Sequence, residues 1–484
     1  MAKNDPIEFK VYNRRWYMLI VVCLVNFSNA MTWITFAPIS SYTKQYYGNS
    51  NAPMIFNIVF MGLSIPVGFI AMWSVDKFGL RTGCLLGAWI NLVGNILRVI
   101  GSGDFFSSDW RFPICLAGQC IAACAQPFIM YLPTKLAAFW FPDSQRALAN
   151  TLASMSNPLG IALQYALSPQ FVNDSHPTAL LFLTSLVAVG AVITALLSIG
   201  VTSSKPPTPA SASSESDVKP PAFFAGFKRC LSSKTFLVLA FSLGGGVGLF
   251  NALYNNLQPA LCVKGYSNTF SGIMGALLIV SGLVGAAVSG VYVDKTHRFE
   301  ETMKVSFCLA GFAACGLSIS INYENVEWAI ATSIFVFGVF GFAIYPIGLE
   351  MGVEATYPVA EATSSGLIIM LGQVEGVIYV LVTSFLTQSA TAHEKNIQTC
   401  NKAGSSDTDI QDWKYSFIAW NCFVVIGIMV FTAAFWPKYK RVQYEQGRLQ
   451  MAQKLNSKPK IEAPQNAPNE EKDVENHHNQ SISN

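Results

Sequence analysis

The chain of 484 residues is 52% hydrophobic and only 12% charged, with 34 Phe and a mean hydropathy of +0.38. That balance excludes a soluble globular domain, in which roughly a quarter of residues carry charge. A net charge of +3 suggests no nucleic-acid partner, and in a bilayer protein charge matters by side rather than by sum.

A helix needs about 20 apolar residues to cross a hydrocarbon core of about 30 Å. Runs of that length fall near 16–37, 54–75, 84–101, 112–134, 147–168 and 178–201, and again near 235–257, 269–291, 303–321, 327–350, 362–388 and 415–436. Helices are expected because lipid offers the backbone no hydrogen-bond partner, and the runs are too long for barrel strands. The predicted fold is an all-α membrane protein with twelve transmembrane helices in two six-helix pseudo-repeats, 16–201 and 235–436. Residues 1–15 form a short N-terminus and 437–484 a polar tail expected to be disordered. With the N-terminus in the cytosol, 24 of the 31 Lys and Arg lie on the inner side and six on the outer. Both termini are therefore expected to be cytosolic. Span 1 is too long for a cleaved leader and reads as a retained anchor.

Loops carry the remaining local signals. Asn173-Asp174-Ser175 is an acceptor sequon in the outer loop after span 5, whereas Asn26-Phe27-Ser28 lies inside span 1. The stretch Ser203 to Pro221, within a linker at 202–234, has too little apolar content to fold and reads as flexible. Most of the 11 Cys lie in spans as small apolar fillers. Cys262 and Cys400 fall in or beside outer loops, and spacing does not decide whether they pair. Lys438, Lys440 and Arg441 abut span 12 and are expected to face the anionic inner leaflet.

The halves repeat in detail. Asp76-Lys77 after span 2 recurs as Asp294-Lys295 after span 8, and Phe141-Pro142 with Arg146 recurs as Tyr357-Pro358 with Glu361. Two repeats related along the membrane normal enclose a midplane site that rocking exposes to each side in turn. The loop Asp76-Lys77-Phe78-Gly79-Leu80-Arg81 resembles the signature of the major facilitator superfamily, with Met72 where the pattern has Gly and Gly290 restoring it in the second half. The resemblance implies that Asp76 is a latch, an anion set against a helix N-terminus and a nearby base. Lys77, Arg81, Arg146, Asp294, Lys295 and Glu361 complete the expected gate. Glu350, Glu354 and Glu361 are expected to pair with inner bases such as Lys135 or Arg146.

Asn29-Ala30-Met31-Thr32-Trp33-Ile34, Phe139-Trp140-Phe141-Pro142 and Tyr357 to Gly366 resemble the feline leukaemia virus subgroup C receptor-related transporters, solute carrier family 49. The segments Trp89 to Arg98, Phe141 to Ala147 and Met155 to Gly160 are similar to an orphan branch of that family. The likeness runs from about residue 12 to 440. It implies carriage of choline, ethanolamine or haem. Trp33 matches the family's aromatic wall and Gln373 a polar contact. Asn251 and Pro158 stand where choline-carrying relatives place Tyr and Gln, with Tyr254 one turn from Asn251 as a substitute.

A quaternary ammonium needs aromatic faces and dipoles in a dry cavity. The predicted lining is Trp33, Asn29, Gln126, Asn251, Tyr254 and Gln373. Gln373 and Glu375 sit about 17–20 Å along span 11, near the midplane, but point about 200° apart, so they do not share one wall. Amides at Asn26, Asn91, Asn95, Gln119, Gln164, Asn255 and Asn256 recur at helical spacing and are expected to line the cavity or to bond between helices.

The Gly-rich runs follow no strand and support no nucleotide site. No metal spacing, cofactor motif or catalytic constellation appears, and His176, His297, His393, His477 and His478 all lie in loops or tail. A carrier of a small organic solute is expected, acting as a monomer in the plasma or an internal membrane, rather than an enzyme. A receptor or sensor using the same cavity is the alternative.

Overall fold

The computed structural model describes residues 10–49, 51–172, 178–210, 221–391, 394, 411–436, 439–441, 443, 446 and 447. The sequon at Asn173, together with Cys400, Lys438 and most of the tail, lies outside the described residues. The first half comprises α1 (Arg14–Ile34), the short α2 (Ser40–Tyr47), α3 (Ala52–Phe78), α4 (Leu80–Gly101), α5 (Ser108–Met130), α6 (Leu132–Trp140), α7 (Asp143–Phe171) and α8 (Ala179–Ile199). After a connecting helix, α9 (Phe223–Leu231), come α10 (Lys234–Val263), α11 (Asn268–Thr296), α12 (Phe299–Ser320), α13 (Glu327–Thr356), α14 (Glu361–Phe385) and α15 (Lys414–Ala434). A two-residue ladder pairs β1 (Gln388–Ser389) with β2 (Gln411–Asp412).

Eleven described helical stretches are long and apolar enough to span a bilayer. The other long helix, α7, has 29 residues and carries Asn150, Asn157 and Gln164 on buried positions, so its polarity faces protein rather than lipid. It is the fifth of the six long rods in its half. The fourth rod breaks at Tyr131 between α5 and α6. Pro133 has no N–H to offer the Ile129 carbonyl, which instead accepts from the Asn26 side chain of α1 at 3.4 Å.

Within each half the helices meet backbone to backbone. A Cβ on Gly94 of α4 would stand 2.6 Å from the Ala122 nitrogen of α5. In the second half, a Cβ on Gly244 would be 3.0 Å from the Gly372 nitrogen, and one on Gly248 would be 2.6 Å from the Gly376 nitrogen, so α10 and α14 lie in close contact. With no hydrophobic driving force between helices in lipid, such close approach supplies the packing energy.

The halves meet differently, through α3 against α14 and α11 against α7. Here one partner is a side chain: Met72 lies where a Cβ on Gly366 would come within 2.5 Å, and the Thr151 hydroxyl lies 2.8 Å from the place of a Cβ on Gly290. The Met72 departure from the superfamily pattern is thus matched by a glycine across the seam.

The face carrying residues 200–210 and α9, the linker face, is better organised than the composition of the linker suggests. Arg14 donates to the Gly200 carbonyl at 3.2 Å, Tyr12 and Thr208 share a hydrogen bond of 3.0 Å, and Ser204 accepts from the Arg81 backbone N–H at 3.1 Å. Helix α9 packs on α10 and α14 while Phe227 meets Phe69 of α3 at 5.9 Å. Residues 211–220 of the stretch expected to be flexible lie outside the described residues. Arg441 is also buried rather than turned to lipid headgroups, with Nη1 3.7 Å from Glu350 Oε1. On the opposite, far face, Lys264 bonds Glu394, and Cys262 is disulfide-bonded.

Gly285 of α11 lies so close to α13 that a Cβ would overlap the Val339 carbonyl oxygen. Gly285→Val is expected to destabilise the second half by about 1–3 kcal/mol, the usual cost of overpacking. A thermal-unfolding midpoint in detergent that matches wild type would contradict this packing.

Candidate functional site: a central cavity between two latches

On the linker face, two aspartates join the halves. Asp76 near the end of α3 accepts from the first backbone N–H groups of α14: Ala362 at 3.2 Å and Thr363 at 2.8 Å, with the Thr363 hydroxyl at 2.5 Å. Lys135 of α6 completes the site at 2.8 Å. Asp294 near the end of α11 meets α7 further into the helix, accepting from its fifth and sixth residues, Ala147 at 3.0 Å and Leu148 at 2.9 Å. A carboxylate at a helix N-terminus satisfies donors that have no intrahelical partner and complements the dipole, which is the setting of Asp76 at the second and third residues of α14. Each half thus holds the start of one helix of the other through an aspartate.

The remaining expected gate residues divide. Lys135, one of the two bases expected to meet Glu350, Glu354 or Glu361, is instead bonded to Asp76. Arg146 pairs with Asp143 in its own helix, and Glu350 lies nearest Arg441 of the tail. Lys77 sits over the Trp73 ring at 4.7 Å, and Arg81 donates to the Thr202 carbonyl at 3.2 Å. These two contacts stay within the first half and its linker. Lys295 is exposed, and Glu361, at the start of α14, makes no ion pair among the described residues. Two further bonds cross the seam, Thr134 with Ser365 at 2.8 Å and Asn150 to the Pro346 carbonyl at 3.0 Å. Near the far face, Asn57 bonds Asn255 across the halves, and the Tyr165 hydroxyl donates to the Tyr254 carbonyl at 3.0 Å.

Between the two sets of contacts lies a cavity of about 150 Å³. It brings together Trp33, Gln126, Asn251, Tyr254 and Gln373, five of the six residues expected to line it. Asn29 is the correction. It is wholly buried in a bond to Asn91 at 3.0 Å and to the Ala122 carbonyl at 3.3 Å, so it ties α1 to α4 and α5. Gln119, Gln164 and Asn256 are likewise spent on interhelical or local bonds, while Asn26 reaches the cavity. Trp33 is 6% exposed and stacks with Phe60 at 6.3 Å, away from any interfacial belt.

No Asp, Glu, Lys, Arg or His lines the cavity among the described residues. Its walls are aromatic, including Phe250, Phe337, Tyr345 and Tyr379, with polar atoms set between them. Trp33 Nε1, Gln126 Oε1, Asn157 Nδ2, Ser242 Oγ, Tyr254 Oη and Gln373 Oε1 are buried and have no hydrogen-bond partner in the protein. An orphaned buried donor or acceptor costs about 1–3 kcal/mol, and six of them belong to residues that line this one void. Sequence reasoning missed Asn157 and Ser242 as lining. Asn157 was legible as the third member of the Asn150, Ser154, Asn157 face of α7; Ser242 lies in the apolar start of α10 and had no polar periodicity to reveal it.

A family profile described as Major Facilitator Superfamily matches residues 22–380. The chain is 36% identical to Solute carrier family 49 member A3 of Xenopus tropicalis over 94% of each chain. It is 37% identical to the protein of that name from Danio rerio, over 92% of each chain. It is 28% identical to the human Choline/ethanolamine transporter FLVCR2, covering 82% of this chain and 76% of that one. Among solved structures, a double Trp mutant of XylE aligns with a TM-score of 0.65 at 10% identity, over 90% of this chain and 99% of that one. With the duplicated bundle and its paired aspartates, these likenesses place the chain in solute carrier family 49 of the major facilitator superfamily.

Proposed function

We propose that the protein carries a small organic cation, of the choline or ethanolamine type, across a membrane by alternating access. The observation that supports this reading is the cavity itself: aromatic faces and six orphaned polar atoms, with no basic side chain to repel a cation. Aromatic faces attract an ammonium by about 0.5–2 kcal/mol each, while the dipoles of Gln126, Asn157 and Gln373 serve its hydroxyl or N–H groups. The relative named as a choline/ethanolamine transporter has the same bearing. Haem fits less well, because a void of about 150 Å³ suits a benzene-sized solute.

In this reading the paired aspartates are the gate on the cytosolic side, where the linker face lies. Releasing Asp76 from α14 and Asp294 from α7 frees the halves to rock about the cavity. Asn57–Asn255 and Tyr165–Tyr254 close the other side. Purified protein in liposomes tests transport directly: saturable counterflow of choline or ethanolamine supports a carrier, and binding without exchange supports a sensor.

Two mutations test the residues. Trp33→Ala is expected to weaken transport of a cation by about 0.5–2 kcal/mol in apparent affinity, with Trp33→Phe retaining most of it. Equal losses would assign Trp33 to packing against Phe60. Asp76→Asn keeps the shape of the side chain but removes its charge, and is expected to shift the balance of states by about 1–3 kcal/mol toward an open linker face. Spin-label distances across the α3–α14 seam that match wild type would remove the latch.

A further inference from the structure

Glu375 is a carboxyl group that the proposed cavity does not use. It lies 14 residues into α14, about 21 Å along the helix and so near the middle of the bilayer. It is 6% exposed. Oε1 has no hydrogen-bond partner, and Oε2 accepts only from the Tyr379 hydroxyl at 3.3 Å. The carboxyl rests against α10, where a Cβ on Gly245 would stand 2.7 Å from Oε2. Gly245 and Tyr379 both line the cavity. The carboxyl therefore stands directly behind two residues of the cavity wall.

The surroundings hold no counter-charge. From α10 it is faced by Gly245, while Gly248 lies against the backbone of Glu375 and Gly376, and Phe423 of α15 stacks on Tyr379 at 4.7 Å. Met61 of α3 lies beside the neighbouring Gly376. Tyr379 is the only titratable group in contact with it among the described residues. An ionised carboxylate at this depth needs a cation or a set of donors, and among the described residues the Tyr379 hydroxyl is the one donor to it.

We infer that Glu375 exchanges a proton for the cationic solute, one for one, so that the carrier is an electroneutral proton/organic-cation exchanger. This rests on the proposed reading of the cavity as a cation site. With the cavity unloaded, the carboxyl holds a proton. When a cation enters, its charge favours the carboxylate, the O–H bond breaks, and the proton leaves to the compartment from which the cation came. After the halves rock, the cation departs to the other compartment and the carboxylate takes up a proton there. Both the loaded and the unloaded cavity then cross the membrane neutral, and neither carries an unpaired charge through hydrocarbon. The absence of a side chain at Gly245 lets the carboxyl approach the cavity wall this closely.

The test uses full-length protein in proteoliposomes with radiolabelled choline and, separately, ethanolamine. An acid interior is expected to drive accumulation toward about tenfold per pH unit of gradient, the equilibrium ratio for one-for-one exchange, with potassium and valinomycin potentials having no effect. In Glu375→Gln the ratio of uptake with and without the gradient is expected to fall to one. A wild-type ratio of one, uptake driven by potential, or a wild-type ratio preserved in Glu375→Gln would each overturn the proposal. Difference infrared spectroscopy gives a solute-independent arm: a protonated-carboxyl band that titrates and is lost in Glu375→Gln supports the proton site, and its absence in wild type overturns it. Failure of both solutes in counterflow with that band present would refute the proposed substrates and leave the proton site standing.

Discussion

A polar side chain at bilayer depth has no water to fall back on, and most of this architecture follows from where such groups find partners. Asn29, Asn91, Asn95 and Thr32 satisfy one another inside the first half, joining α1 to α4. Asp76 and Asp294 satisfy backbone donors of the opposite half. Six polar atoms that find no hydrogen-bond partner in the protein belong to residues that line the cavity. The same requirement thus builds the bundle, holds its halves and leaves its site.

The two latches each accept from two successive backbone N–H groups of the opposite half and differ in counter-charge. Asp76 has Lys135 beside it, while the corresponding end of α13 carries Glu350, whose nearest base is Arg441 from the tail. Lys135 belongs to the same half as Asp76, so its attraction is local. Arg441 comes from beyond α15 and brings the chain's last described segment onto the linker face. Duplicated halves have in this way acquired distinct electrostatic settings around the same hydrogen-bond pattern.

Much of the fold was legible because the bilayer imposes one length on every spanning helix, and the latches were legible because the repeat places Asp76 and Asp294 at matching positions. The cavity was legible in part. Helical spacing says that Asn26, Asn29 and Trp33 share a broad face of α1, but not which edge of that face turns to the centre. Rotation of the helix sends Asn29 to Asn91, while Asn26 and Trp33 line the void. Helix α9 was hidden by its Ser- and Pro-rich approach, though Phe223 and Phe227, four residues apart, mark an apolar edge that tertiary contact stabilises. The Lys135 pairing was missed because Asp76 is 59 residues away on a different helix, and spacing does not say that the two side chains meet.

The different textures of the seams divide the molecule mechanically. Where Gly94 meets Ala122, or Gly248 meets Gly376, main chain interlocks with main chain and sliding would drive peptide groups into one another. Where Met72 lies over Gly366, or Thr151 over Gly290, a rotatable group rides on a bare patch of backbone. Each six-helix block thus contains points where main chain locks on main chain, and the boundary between blocks contains points where a side chain can turn as the surfaces pass. At those points the boundary yields to shear more readily than a backbone-on-backbone contact does, before any gate is considered.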